Sequence, residues 1–350
     1  MIGGKADIRR GSTGVLRGTN LFDALRVLAA SLVIIGHTWP LSGVGGAPAI
    51  AGIKIHHFGV YTFFVISGYL LARSWRRSQR FGAFIIRRTL RIFPGLFVVV
   101  ILTLLVLGPV VTTFPASDYW GTGPFWRYLM NLVLLAEYDL PGVFITNPIS
   151  PVNGSLWSLG PEFSCYLMLA VLGLLGARAS SIIRALLAVV LVIIVVGPYL
   201  SGPLRTTAIA VTFFVLGSLF ADVPRPGRYP LWPGLLGAAL LVLLDGTAGL
   251  IVVFIVLPYV VVVVGSRKSR LSHTLHRIGD PSYGMYLWGF PVQQTLILCA
   301  GVVPLWQSIA IVLPTSIALG LASWHLVEKP AITLGNVVSE TNVRESNRFR

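Results

Sequence analysis

Apolar runs of about twenty residues recur along the whole chain, bounded by charged or Gly/Pro-rich turns, and a helix of that length matches the ~30 Å hydrocarbon core of a bilayer. They fall at residues 21–41, 57–75, 84–110, 156–177, 180–198, 204–221, 230–246, 248–265, 281–302 and 305–327. The pattern predicts an all-α, polytopic membrane protein of about ten transmembrane helices. Hydrophobic residues make up 55% of the chain and charged residues 11%. A net charge of +15 raises nucleic acid as a partner, but in a membrane protein the placement of the basic residues is what counts. With the N-terminus inside, only Lys54, Arg127 and Arg205 of the 27 basic residues fall outside. That bias predicts both termini in the cytoplasm and membrane lipids rather than nucleic acid as surroundings. The first run is too long for a cleavable signal peptide, and no small-residue cleavage site follows it.

The expected organisation is a basic cytoplasmic tail over 1–20, a membrane domain over 21–330 and a second cytoplasmic tail over 331–350. Cys165 and Cys299 lie in separate apolar segments, which excludes a disulfide framework. There is no GxGxxG, no P-loop and no histidine or cysteine spacing of a metal site, so no metal and no permanently bound cofactor is expected. Residues 111–155 form a long outer loop rich in Trp and Tyr, in which 125–138 reads as an interfacial helix.

Ionisable residues inside the apolar runs are the candidates for function, because burying one costs at least ~2.5 kcal/mol without a partner. Arg26 and His37 share the first run, eleven residues apart, hence within roughly 20° of one face and about 16 Å along the axis. Arg73, Arg76, Arg77 and Arg80 have helical spacing, and Arg87, Arg88 and Arg91 repeat the arrangement across the turn. Two readings stand for this cluster: a topology signal paired with anionic lipid headgroups, or a polyphosphate site using the guanidinium fork. Glu162 falls one turn inside the fourth run, behind Asn153, Ser155, Trp157 and Ser158. Tyr283, Tyr286 and Trp288 open the ninth run. His325 and Glu328 close the tenth, which Pro330 is expected to stop. A histidine near an outer carboxylate describes a general base, and an inner polyphosphate site describes a large anionic donor, so the constellation describes group transfer across a membrane.

The segments FDALRVLAASLVIIGH, FFVISGYLLARSW, RRTLRIFPG, GSLWSLGPEFSCYL, SYGMYLWGFP and HLVEKP, in this order and spacing, resemble the membrane acyltransferase-3 family from Leu21 to Pro330. That family moves acyl groups, mostly acetyl, from acyl-CoA to sugar hydroxyls of surface polysaccharides, glycolipids, peptidoglycan and glycosides. The resemblance implies Arg26 and His37 as essential residues, with Glu162 beside them, and the CoA phosphates on Arg76, Arg77, Arg87, Arg88 and Arg91. Asn153, Ser155, Trp157, Tyr166, Tyr283, Tyr286 and Glu328 are the expected substrate contacts. It further implies acyl-CoA as co-substrate, a carbohydrate or glycolipid acceptor and a bacterial cytoplasmic membrane location. Two departures stand out: Gly289 occupies a position where some members have histidine, and the chain stops about twenty residues after the tenth run, where many members continue into a hydrolase-like domain. Transfer is therefore expected to be completed within the membrane domain: His37 deprotonates the hydroxyl or briefly carries the acyl group, Glu162 orients or balances it, and Arg26 neutralises Glu328 or contacts the donor. A proton-coupled transporter or flippase and a lipid-binding scaffold are the competing classes.

Overall fold

The computed structural model describes residues 20–269 and 277–348, with side chains to residue 338. Residues 1–19 of the expected tail over 1–20 and part of the basic stretch between Arg267 and Arg277 therefore lie outside the described residues. The long helices are α1 (Phe22–Leu41), α2 (Ile55–Arg77), α3 (Phe81–Val111), α4 (Leu159–Leu174), α5 (Ala177–Val196), α6 (Gly202–Leu219), α7 (Trp232–Leu240), α8 (Gly246–Gly265), α9 (Ser282–Ala300), α10 (Leu305–Ser323) and α11 (Lys329–Arg348). The strands are limited, among the described residues, to a short hairpin pairing Ala49–Ile50 with Ile53–Lys54.

Among the described residues, eight helical stretches are long and apolar enough to cross a membrane, against the ten expected. The difference has two sources. The expected seventh run, 230–246, shrinks to the nine residues of α7. Its Gly234 and Gly237 let it lie directly on Val260 and Val256 of α8, and the chain turns at Leu241 before Gly246 enters α8 with a positive φ. The expected ninth run is the helix α9, but its polar content keeps it below the apolarity of a lipid-facing span. Gln293 and Gln294 are almost fully buried, and they donate to the Ile34 carbonyl (2.7 Å) and to the Ile149 and Pro151 carbonyls (2.9 and 2.7 Å). A buried amide in a bilayer needs such partners, so α9 belongs to the interior of the bundle.

Two further expectations are corrected. Pro330 does not stop the last helix. A π-helical turn over Trp324–Glu328 precedes it, and the chain continues as α11, packed on α3. Proline lacks the N–H of the ordinary ladder, and the wider turn just before it takes up the mismatch. The stretch 125–138 is not one interfacial helix: α-helix over Gly123–Arg127 tightens into a 3-10 turn over Tyr128–Val133, and Leu134 adopts a left-handed conformation. Asn131 ties that turn, donating to the Tyr128 and Glu137 carbonyls and accepting from the Glu137 N–H.

The core of the bundle is the α1–α2–α6 contact, with α9 and α10 packed on the other side of α1. Helices cannot be pressed together by hydrophobicity within lipid, so close backbone approach through small residues does the work. A Cβ at Gly68 of α2 would fall on the Phe214 carbonyl oxygen of α6, and one at Gly217 of α6 on the Val65 carbonyl of α2. Gly68→Ala is expected to cost about 1–3 kcal/mol through forced separation of the helices, read as a lower thermal midpoint of the detergent-solubilised protein. Gly82→Ala, where a Cβ meets open space, leaves the midpoint unchanged.

Candidate active site

At one end of the bundle five charged side chains from α1, α3, the approach to α9 and the π turn form a single network. Arg26 donates to Asp23 at 2.9 Å and faces Asp280 at 3.8 Å. Arg91 donates to Asp280 at 2.8 Å and faces Glu328 at 3.6 Å, with its guanidinium also over the rings of Tyr283 and Trp324. Asp280 accepts from the Ser282 N–H (3.2 Å) and hydroxyl (2.5 Å). Burial alone would push its carboxyl up, but Arg91 and Arg26 outweigh that and hold it below the usual carboxylate range. Arg26 therefore meets Asp280 and Asp23, and it is Arg91 that faces Glu328; the sequence expectation had Arg26 there.

Arg88, one turn before Arg91, is the exception in this network. Its guanidinium lies 6.0 Å from the Phe84 ring centroid, its Nε is buried without a hydrogen-bond partner, and no carboxylate among the described residues is in ion-pair range of it. Beside it opens a cavity, about 680 Å³ with the space open to solvent included. Arg26, Arg88 and Arg91 stand at its charged end, and Val60, Phe63, Ser67, Ser158, Glu162, Tyr166, Tyr283 and Tyr286 line the rest. Glu162 accepts from the Ser67 hydroxyl at 2.8 Å and from the Tyr166 hydroxyl. Tyr283 donates to the Ile92 carbonyl at 2.8 Å, and the Ser158 and Tyr286 hydroxyls are 2.6 Å apart.

His37 lies beyond the opposite end of this cavity. Its Nδ1 is 2.7 Å from the Val33 carbonyl of its own helix; a carbonyl only accepts, so Nδ1 carries a proton, and in the neutral ring Nε2 is the nitrogen with the free lone pair. The ring rests 4.6 Å from His56 and 5.4 Å from Phe290. His56 in turn donates through Nδ1 to the Gly36 carbonyl at 3.2 Å. That carbonyl would ordinarily receive the N–H four residues on, where Pro40 has none. Two cavity walls, Val60 and Tyr286, sit one turn from His56 and Phe290, about 6 Å along their helices, so the cavity leads from the arginines toward His37.

The expected pairing of Glu162 with His37 is not found, because Glu162 is held by Ser67 and Tyr166 on the cavity wall. The arginine cluster is also not one site. Arg76 turns to Asp222 and the Ala221 carbonyl, Arg77 is exposed at the end of α2, Arg87 packs beside α11, and only Arg88 and Arg91 reach the cavity. The i, i+3, i+4, i+7 spacing across 73–91 spans two helices joined at residues 78–80, and this divides it. Asn153 and Ser155 are structural pins. Asn153 Nδ2 donates to the Leu287 carbonyl at 2.8 Å, which Pro291 leaves without its helical donor, and Asn153 Oδ1 accepts from Ser155 Oγ at 2.6 Å. Trp157 packs, half-buried, against the core beside them. Tyr166, Tyr283 and Tyr286 do line the cavity, and Glu328 stands behind Arg91. Sequence reasoning missed Asp280 and His56. Their signals are present: an acid directly before a span in an arginine-rich stretch, and a His-His pair at the head of another.

An acyltransferase domain model, that of the acyltransferase-3 family, matches residues 20–325. The chain is 29% identical over 343 residues to an O-acetyl transferase of Shigella phage Sf6, covering 90% of this chain and 96% of that protein. It is 28% identical over 355 residues to nodulation protein 10 of Rhizobium leguminosarum bv. viciae, covering 90% and 94% respectively. A shorter match, 29% over 119 residues, takes in 31% of this chain and 22% of a regulator of hypoxia-inducible factor 1 from Caenorhabditis elegans. No solved structure matches. By the extent of the domain match and its O-acetyl transferase relative, the chain belongs to the acyltransferase-3 family and is an O-acyltransferase.

Proposed function

We propose that this membrane enzyme takes an acyl group, acetyl foremost, from acyl-CoA and places it on a sugar hydroxyl of a surface polysaccharide, glycolipid or glycoside in the bacterial cell envelope. The observation that carries the donor half is Arg88, a half-buried guanidinium at the charged mouth of the cavity whose buried Nε has no partner and which no carboxylate among the described residues pairs. A cation left unpaired in such a place is costly until an anion arrives, and a phosphate matches its fork. On this reading the CoA phosphates rest on Arg88, with Arg26 and Arg91 adding positive potential, and the thioester arm extends along the cavity toward His37.

At that end His37 Nε2 takes the proton of the acceptor hydroxyl as its oxygen attacks the thioester carbonyl. The C–S bond breaks, and the imidazolium returns the proton to the leaving CoA thiolate. The Val33 carbonyl does the orienting that a carboxylate does in a catalytic triad. Glu162 keeps its place beside Ser67 and Tyr166 and contributes negative charge facing the donor arm. The acceptor relation is supported by the phage relative, whose name gives O-acetyl transfer as its activity.

Radiolabelled acetyl-CoA supplied to inverted membrane vesicles is expected to label a base-labile ester on glycan or glycolipid. His37→Ala should lower the turnover about 10²–10⁴-fold while the protein remains folded and extractable. Retained turnover in that variant would sink the mechanism, and transport without acyl-CoA would move the protein to the transporter class. Arg88→Gln is expected to raise the KM for acetyl-CoA by about 10–100-fold, the loss of ~1.5–3 kcal/mol from a charged hydrogen bond, with a smaller effect on kcat. Arg77→Gln, at an exposed position outside the cavity, is expected to change KM by less than about twofold.

A further inference from the structure

Arg76, released from the donor cluster by the fold, belongs to a second cavity between α2, α4 and α5, about 330 Å³ with the space open to solvent included, that shares no wall residue with the central one. Its charged side is built from Arg76 and Arg184. Arg184 is 2% exposed, and it donates to the Ser218 carbonyl at 2.6 Å and to the Ser181 hydroxyl at 3.0 Å. Both guanidiniums share the single carboxylate of Asp222, which touches Arg76, lies 3.5 Å from Arg184 and accepts from Ser181 at 2.9 Å. Two cations on one anion leave a net positive charge at this corner.

Two further groups with unmet donors border the same space. Trp75 is 5% exposed, and its indole N–H is buried without a hydrogen-bond partner, pressed against Gly173 on the opposite wall. An unpaired indole donor is expensive to bury. The cavity also reaches Ala177 and Ser180, the first turn of α5. The first ladder bond of that helix runs from the Ser180 N–H to the Gly176 carbonyl, so the N–H groups of residues 177–179 precede it, and no side chain caps them. A helix start with uncapped amides is attractive to an anion.

We propose that this cavity binds the headgroup phosphate of an anionic phospholipid. The choice of a lipid over a soluble phosphate rests on what adjoins the cavity. The stretch forming α5 is only 22% buried, and Ile182, Leu186, Val189 and Val190 face outward along it, so acyl chains anchored at the first turn run down an apolar surface already present. The walls contributed by Ala72 and Leu169 are apolar as well. The lipid completes the charge balance that Asp222 leaves unfilled and clasps α2 to the α4–α5 hairpin. It acts independently of acyl transfer.

The test uses the full-length protein reconstituted in phosphatidylcholine vesicles with and without phosphatidylglycerol, re-extracted, and weighed by native mass spectrometry. Wild type is expected to retain one phosphatidylglycerol through a wash that strips phosphatidylcholine. Arg76→Gln and Trp75→Phe are expected to retain at least tenfold less. Because Arg76 also ties α2 to Asp222, Ala177→Leu serves as a variant that fills the cavity edge without touching the ion pairs, and it is expected to lose the lipid while eluting as the wild type does. Equal retention by the wild type and all three variants overturns the proposal. Displacement of the lipid by inorganic phosphate alone overturns the lipid assignment in favour of a free anion, and displacement by acetyl-CoA makes the cavity part of the donor site.

Discussion

A charge network that must exist inside an apolar bundle is the constraint on which the rest depends. Arg26 and Arg91 come from separate helices, and Asp280, Asp23 and Glu328 neutralise them from three further points along the chain. Each of these groups alone would be several kcal/mol out of place in a bilayer, and removing one partner strands the other. Their mutual satisfaction thus fixes where α1, α3, α9 and the π turn meet. It also leaves Arg88 as the group whose demand is still open.

Proline has a constructive part in the same region. Pro40 and Pro291 each remove a ladder donor, and each freed carbonyl is taken by a side chain from elsewhere: His56 on Gly36, Asn153 on Leu287. In water such a carbonyl would find solvent; in the membrane it must find protein. The result is a pair of cross-links that seat His56 against His37 and lock the end of the outer loop onto α9.

Much of the residue inventory is legible in the sequence. Arg26, His37, Arg88, Arg91, Glu162 and Glu328 announce themselves because ionisable groups are rare in apolar runs. Tyr283 and Tyr286 appear at a span entrance, and Tyr166 inside the fourth run. What the sequence does not carry is partnership. Whether Glu162 meets His37 or Ser67 depends on how α2 and α4 rotate against each other, which apolar periodicity does not specify when a helix is hydrophobic all round. The fate of the arginine cluster depends on the break at residues 78–80, and that of α7 on two glycines whose neighbours are on α8. Asn153 and Ser155 mislead for a related reason: polar residues at a membrane entrance look like substrate contacts until the proline that demands them is seen.

The hydrogen bond from His37 to Val33 has a consequence for how this enzyme can be studied. The orienting partner is main chain, present whatever residue occupies position 33, so no side-chain replacement deletes it. A saturation scan would register the histidine and nothing that resembles the third member of a triad. The element that holds the imidazole in place is genetically silent, and exposing it takes backbone chemistry, such as an ester bond in place of an amide.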